Sequence, residues 1–283
     1  TMSPLTKNLL IFLVINFAAL GIGGFLMGEG PTGSYYQSIN KAPWTPPGWV
    51  FGVAWTTIML CFSMYMALLY EKKKGNLYPT HGLGPVSQYM NLMRSEDNFK
   101  SIVSFSTPAM GRKKFANKNF SENHKWNELN YQNGDLNTSV IKTHLGRTIM
   151  VQWDETSPRP YTRLNLVQGT KGILAGGPTR AAFEGGFEDF TDGSNQWIKD
   201  DGIKRLYEKY DHPLYKRLNN KTKDSGHGGM DGIMMYRIVE CLQRGIPLDQ
   251  NLYEGCSWSS LIELTSNSVN NNGEPQQFPD FTR

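Results

Sequence analysis

Tyr78 and His81 are the most chemically suggestive pair in this chain, three residues apart and bracketed by Pro79 and Gly82. Histidine is the side chain whose unperturbed pKa suits proton transfer near neutral pH. A tyrosine three residues away shares a cleft with it if Pro79 and Gly82 fix the turn; the plainer alternative is a histidine hydrogen-bonded within a Pro/Gly-rich turn. A second pair, His227 and Asp231, stands four apart at an expected helix start, where it can bind a metal, cap the helix or line a pocket. No third ligand is evident, which favours the cap or the pocket. Tyr161, between Arg159 and Arg163, reads either as a loop anchor or as an aromatic that stacks on a sugar. No phosphate loop, H-E-x-x-H or G-x-S-x-G follows Gly75.

The elements that must position these residues change character at 71–85. The chain has 283 residues and a formal charge of +4. Its basic residues are scattered except for Lys72, Lys73 and Lys74, so no nucleic-acid stripe is present and no nucleic acid is expected as a partner. Cys61, Cys241 and Cys256 are far apart and form no CxxC pair, which excludes a disulfide framework and a cysteine zinc site.

Residues 8–28 run apolar over about twenty residues, the length a helix needs to cross a hydrocarbon core. Only Asn8 and Asn16 interrupt the run. A signal peptide is the rival reading, but the run is long for an apolar h-region and no clear A-x-A site follows. Gly21-Ile-Gly-Gly lacks the separate strand and helix of a dinucleotide loop; with Gly24-xxx-Gly28 it reads as small residues that let helices approach. Residues 49–70 form a second run of membrane length. Between the two, Trp44 and Trp49 read as interfacial anchors, and Pro46-Pro47 can start a helix. By the positive-inside rule Lys7 and Lys72 to Lys74 place both ends, and the domain that follows, in the cytoplasm.

After Gly75 no run approaches membrane length. The pattern predicts a short helix opened by Pro85, a strand at 101–106, and a hairpin of 139–145 with 147–154 about Gly146. A second hairpin, 163–167 with 172–174, turns at Gly169-Thr170, and helices follow at 230–244 and 257–268. The predicted fold class is therefore two N-terminal transmembrane helices, then an α/β (α+β) domain. Consecutive hairpins give that domain an open, mostly antiparallel sheet packed against helices. At about 200 residues it is large enough to bury a core.

Two stretches carry resemblances. Lys41-Ala-Pro-Trp-Thr-Pro-Pro-Gly-Trp-Val-Phe-Gly-Val-Ala-Trp-Thr resembles the signature of the TspO/peripheral benzodiazepine receptor (translocator protein) family, with rare prolines and tryptophans at fixed spacing. That family has five transmembrane helices around a pocket for tetrapyrroles and sterol-like ligands. The resemblance implies a two-helix membrane segment at 1–73, with membrane lipid and a tetrapyrrole as partners. Trp44, Pro46, Pro47, Trp49, Phe51 and Trp55 are then part of the ligand wall.

Farther on, four separated motifs stand in order: Asn76-Leu-Tyr-Pro-Thr-His-Gly-Leu-Gly-Pro-Val, Gln152-Trp-Asp-Glu-Thr-Ser-Pro-Arg-Pro-Tyr-Thr-Arg, Gly226-His-Gly-Gly-Met-Asp and Pro279-Asp-Phe-Thr. Together they resemble the NAD-dependent α-N-acetylgalactosaminidases, glycoside hydrolase family 109, within the Gfo/Idh/MocA group. The resemblance implies a substrate domain at 75–283 that takes an N-acetylgalactosamine-type saccharide. In the family, NAD takes a hydride from sugar C3, the C2 proton becomes acidic and the glycosidic oxygen is eliminated; water adds and the hydride returns. Carried over, Tyr78 and His81 are catalytic, and Asn76, Thr80, Tyr161, His227 and Asp231 bind substrate. The family's Rossmann domain precedes the tyrosine/histidine motif, and here that space holds the TspO-like helices. The expectation is a chain with the NAD domain absent, no cofactor-binding or metal residues identified, and a glycosidase half that is inactive alone. The alternatives are a TspO-like ligand binder and a membrane-anchored, non-catalytic sugar-binding protein. The family is commonly exported, at odds with the cytoplasmic side that the lysines predict.

Overall fold

The computed structural model describes residues 2–281 apart from 42, 44, 72, 73, 95, 192–194 and 199. Trp44 of the expected ligand wall, and Lys72 and Lys73 of the charge pattern, lie outside the described residues. Helix α1 spans Pro4–Leu26, four residues ahead of its predicted start, because the Ser3 hydroxyl accepts from the Thr6 N–H at 3.2 Å and Pro4 opens the first turn. Gly28, at φ 62°, turns the chain out of the helix. After the short α2 (Ser34–Ser38), α3 runs Gly48–Tyr70 with Pro47 at its cap, as the Pro46-Pro47 pair predicts. Both long helices are apolar and long enough to cross a membrane, and their outer side chains are open, Phe25 at 85% and Val14 at 70% exposure. The two asparagines that interrupt the first run face α3. Asn16 Nδ2 donates to Ser63 Oγ at 2.9 Å, and Asn8 Nδ2 donates to the Glu71 carboxylate beyond the helix end. Polar pairs of this kind are worth about 0.6 kcal/mol in lipid, and they fix which faces meet.

The second part runs α4 (Thr80–Tyr89), β1 (Phe99–Ser106), α5 (Gly111–Asn119), α6 (Lys125–Glu128), β2 (Leu136–Thr143), β3 (Thr148–Asp154), β4 (Leu166–Gly169), β5 (Gly172–Ala175), β6 (Arg180–Phe183), α7 (Asp200–Tyr210), α8 (Pro213–Thr222), α9 (Met230–Arg244), α10 (Leu252–Asn270) and β7 (Gln276–Gln277). One antiparallel sheet has the order β3-β2-β1-β7 and a second the order β4-β5-β6. Register puts Ile102 opposite Ile141 and Ile141 opposite Ile149, a branched apolar row across three strands. That row, with Val151, packs against Trp258 and Leu261 of α10 and Leu83 of α4. Each such buried side chain contributes roughly 1.5–3 kcal/mol. The alternate residues Val140 and Met150 stand opposite each other on the face left open, Met150 at 73% exposure.

Both predicted hairpins are present, with Gly146 at φ 83° in the first turn and Thr170-Lys171 in the second. Two helix starts differ from prediction. α10 begins at Leu252, five residues early, because Asn251 and Glu254 form a reciprocal capping box. The Glu254 carboxylate is fully buried and also accepts from Gln88 Nε2 at 3.2 Å and Arg94 Nε at 3.1 Å, which ties α10 to α4. α4 begins at Thr80 rather than at Pro85, which lies inside it. The Pro79 carbonyl accepts from Gly82 N–H at 3.1 Å and Leu83 N–H at 3.0 Å, and burial of Leu83 holds that first turn. Pro85 costs the helix only the bond it would have made to the His81 carbonyl.

Candidate functional site

The site is built upward from Gly75. Its φ of 99° suits glycine alone, and a Cβ there would lie 2.7 Å from Thr265 Oγ1 and 2.8 Å from the Ser266 N. The close approach brings the next residue onto α10. The Asn76 N–H donates to Thr265 Oγ1 at 3.0 Å, and Asn76 Oδ1 accepts from the Tyr78 N–H at 3.0 Å. Asn76 is buried, so its amide orients the backbone of the pair that follows. Tyr78 and His81 then stack, ring centroids 4.7 Å apart at 29°, both exposed. Beneath them α4 passes so near β3 that a Cβ on Gly82 would sit 3.4 Å from Val151 Cγ1. Trp258 Nε1 donates to Ser87 Oγ at 2.9 Å on the opposite side.

That contact places the start of α4 beside the end of β3 and the loop that leaves it. Together they form a cleft of about 510 Å³, lined among others by Asn76, Tyr78, His81, Gln152, Arg159 and Tyr161. Two motifs more than seventy residues apart in sequence, at 76–81 and 152–163, thus become one concavity. The loop wall is pinned by Asp154, which accepts from Arg159 Nε at 2.6 Å and from the Ser157 N–H at 3.0 Å. Burial pushes the Asp154 carboxyl up, but Arg159 and Ser157 more than offset it and hold it below its ordinary value. Arg163 Nε donates to the Tyr161 hydroxyl at 3.0 Å, and Tyr161 is 83% exposed. Gln152 reaches the cleft from the open face of the sheet, its Nε2 on Thr138 Oγ1 at 3.0 Å.

His81 and Arg163 also line a neighbouring cleft of about 740 Å³ with Thr80, Asp249, Gln250 and Trp258. Thr80 therefore faces that side. His227 and Asp231 line neither cleft. They pair with each other at the start of α9, His227 Nδ1 3.0 Å from both Asp231 oxygens. Gln152, Arg163 and Trp258 were not singled out as site residues in the sequence. Gln152 had a legible signal, the alternation of β3, whereas Trp258 reaches the site only through the packing of α10 on α4.

An exposed imidazole stacked on a phenol, beside guanidinium groups and a side-chain amide, can exchange hydrogen bonds and a proton with a polyhydroxylated ligand. A dinucleotide has a poorer fit. Gly21 to Gly24 lie inside the continuous helix α1, whereas a pyrophosphate-binding turn joins a strand to a helix N-terminus. The described residues do not fit NAD. On the expected tetrapyrrole wall, Pro46 and Pro47 precede α3, and Trp49, Phe51 and Trp55 on α3 are exposed, Trp49 at 71%.

Residues 52–283 match the family described as glycosyl hydrolase 109, C-terminal domain, and residues 11–92 match the TspO/MBR family, the two overlapping at 52–92. The chain is similar to glycosyl hydrolase family 109 protein 1 of Akkermansia muciniphila, 56% identical over 219 residues, which are 76% of this chain and 44% of that protein. It is 50% identical over 215 residues to a protein of Shewanella oneidensis named alpha-N-acetylgalactosaminidase, covering 76% of this chain and 46% of the other. The chain thus spans less than half the length of these curated relatives. An oxidoreductase domain protein from Kribbella flavida superposes with a TM-score of 0.39 at 12% identity over 65% of this chain and 45% of its own, too weak a likeness to bear on function. Through its carboxyl-terminal domain the chain belongs to glycoside hydrolase family 109, and its amino-terminal helices match the TspO/MBR family.

Proposed function

We propose that this chain is the saccharide-binding half of a family 109 glycosidase, held at a membrane by its two amino-terminal helices. The cleft between Tyr78/His81 and the 152–163 loop takes the terminal sugar, an α-linked N-acetylgalactosamine. The single observation that supports this reading is the convergence of those two distant motifs on one concavity. In it, Tyr161 offers an open aromatic face, and Gln152, Arg159 and Asn76 supply the directional hydrogen bonds that a sugar's hydroxyl and acetamido groups require. His81 holds the proton that moves at the sugar, and Tyr78 orients the ring it stacks on.

NAD chemistry is the family's route to glycosidic cleavage, and the described residues offer the dinucleotide no seat. We therefore expect binding without turnover from this chain alone. Mixing the detergent-solubilised full chain with NAD and an aryl α-N-acetylgalactosaminide tests this: bound saccharide with no aryl release is the expected result, and release at the rate of a working glycosidase overturns the reading. On the charge pattern, Lys7 and Lys74 place the saccharide domain on the cytoplasmic side.

A further inference from the structure

The excursion between β1 and β2 carries a cleft that the reading above leaves unused. It measures about 530 Å³ and is lined by Arg112, Phe115, Trp126, Leu129, Tyr131 and Glu155, with Gly111 and Thr156 at its base. Its walls are of two kinds. One is aromatic and fixed: Phe120 stacks on His124 at 4.5 Å and 18° and meets Trp126 edge-on at 4.6 Å and 73°, while the Tyr131 hydroxyl donates to the Trp126 carbonyl at 3.0 Å. Phe120 is the buried centre of this small cluster. Phe115 and Trp126 keep open faces, at 58% and 39% exposure, although their neighbours already hold them in place. Rigid aromatic surface of this sort binds at little cost in conformational entropy. The other wall is polar, an ion pair of Arg112 with Glu155 whose side chains are about one third exposed.

An aromatic face opposite a charged, planar hydrogen-bonding pair matches one kind of ligand, a flat ring with C–H groups on its faces and hydroxyls on its edges. A pyranose has that form; a wholly apolar ligand would leave Arg112 and Glu155 desolvated. The cleft is also continuous with the candidate site. Glu155 lines both, and only the 154–157 segment lies between them. That segment is anchored to α5: the Asp135 carboxylate accepts from the Met110 and Gly111 N–H groups at 2.9 Å, and the Glu155 N–H donates to the Asp135 carbonyl at 3.2 Å. The distance from one cleft to the other is thereby fixed.

We infer that the Phe115/Trp126 cleft is a second saccharide subsite, holding the sugar next to the terminal residue bound at Tyr78/His81. This rests on the function proposed above and assigns it an oligosaccharide ligand. Calorimetry on the full chain with methyl α-N-acetylgalactosaminide and with a disaccharide ending in α-N-acetylgalactosamine tests it. The disaccharide is expected to bind about tenfold more tightly, a gain of the size aromatic contacts supply. Trp126→Ala, and separately Phe115→Ala at the more exposed position, should erase that gain and leave the monoglycoside affinity unchanged. Equal affinities for the two ligands, or a gain that survives both substitutions, overturns the subsite while the terminal-sugar site stands. Monoglycoside binding that His81→Ala does not alter, or no binding of either ligand, overturns both.

Discussion

The Tyr78 and His81 rings lie one on the other at 4.7 Å across the entry to α4, and neither is buried. Two polar aromatics in contact at a helix start, both open to solvent, are held for a ligand rather than for the core. The imidazole edge stays available on both flanks, since His81 lines the clefts on either side.

Removing the phenol should loosen this arrangement without unfolding the domain. Tyr78→Ala leaves the Asn76 bridge to Thr265 intact, so thermal stability should stay within about 0.5 kcal/mol. Saccharide affinity should fall several-fold, as calorimetry would register. A drop in melting temperature that matches the loss of binding would instead make Tyr78 a structural residue.

Gly75 is predicted to be the least replaceable residue at the seam. Gly75→Ala must relieve both a left-handed φ and a contact with Thr265, a strain of about 1–3 kcal/mol. Thermal melts should shift down by roughly 2–4 °C per kcal/mol for a domain of this size. An unchanged melting temperature contradicts the close packing of this turn on α10.

The loop wall of the site should depend on pH in a defined direction. Asp154 sits below its ordinary value of 3.8 in the folded chain, pushed up by burial but held down more strongly by Arg159 and Ser157. Its contribution is therefore complete above that value and is lost as pH falls through the lower folded value. Saccharide binding should hold from neutral pH to about 4 and weaken below it. In Arg159→Gln the weakening should begin at higher pH, as binding titrations across that range would detect.

The capping box offers a test of how α10 carries the site. Asn251→Ala should cost about 1 kcal/mol, within the 0.5–2 kcal/mol range for lost N-caps, measured by denaturant midpoint. Binding should be preserved, because Thr265 and Trp258 lie one to several turns farther along the helix.

Much of this architecture was legible in the chain, for identifiable reasons. α9 matches its predicted limits because Gly229 and Gly245 punctuate a clear apolar period. The β2–β3 hairpin was visible in its alternation and in Gly146. The start of α4 was hidden by Pro85, which reads as an opening residue yet sits inside the helix. The start of α10 was hidden because the Asn251-x-x-Glu254 cap precedes a turn rich in Gly, Cys and Ser rather than a plain apolar run. β6 is short and follows Gly176-Gly177-Pro178, which masks it. The pairing of Tyr78/His81 with Gln152 and Tyr161 could be reached in sequence only through family resemblance. Physically it depends on sheet order and on the approach of Gly82 to Val151, contacts that no local pattern records.

The central claim is that the Tyr78/His81 cleft holds a sugar. Its most direct measurement is calorimetric titration of the full chain with methyl α-N-acetylgalactosaminide, run in parallel on His81→Ala. The account predicts saturable binding in the parent chain and a loss of about tenfold or more in the variant, with an unchanged melting temperature. No saturable heat in the parent, or the same affinity in both proteins, would contradict it.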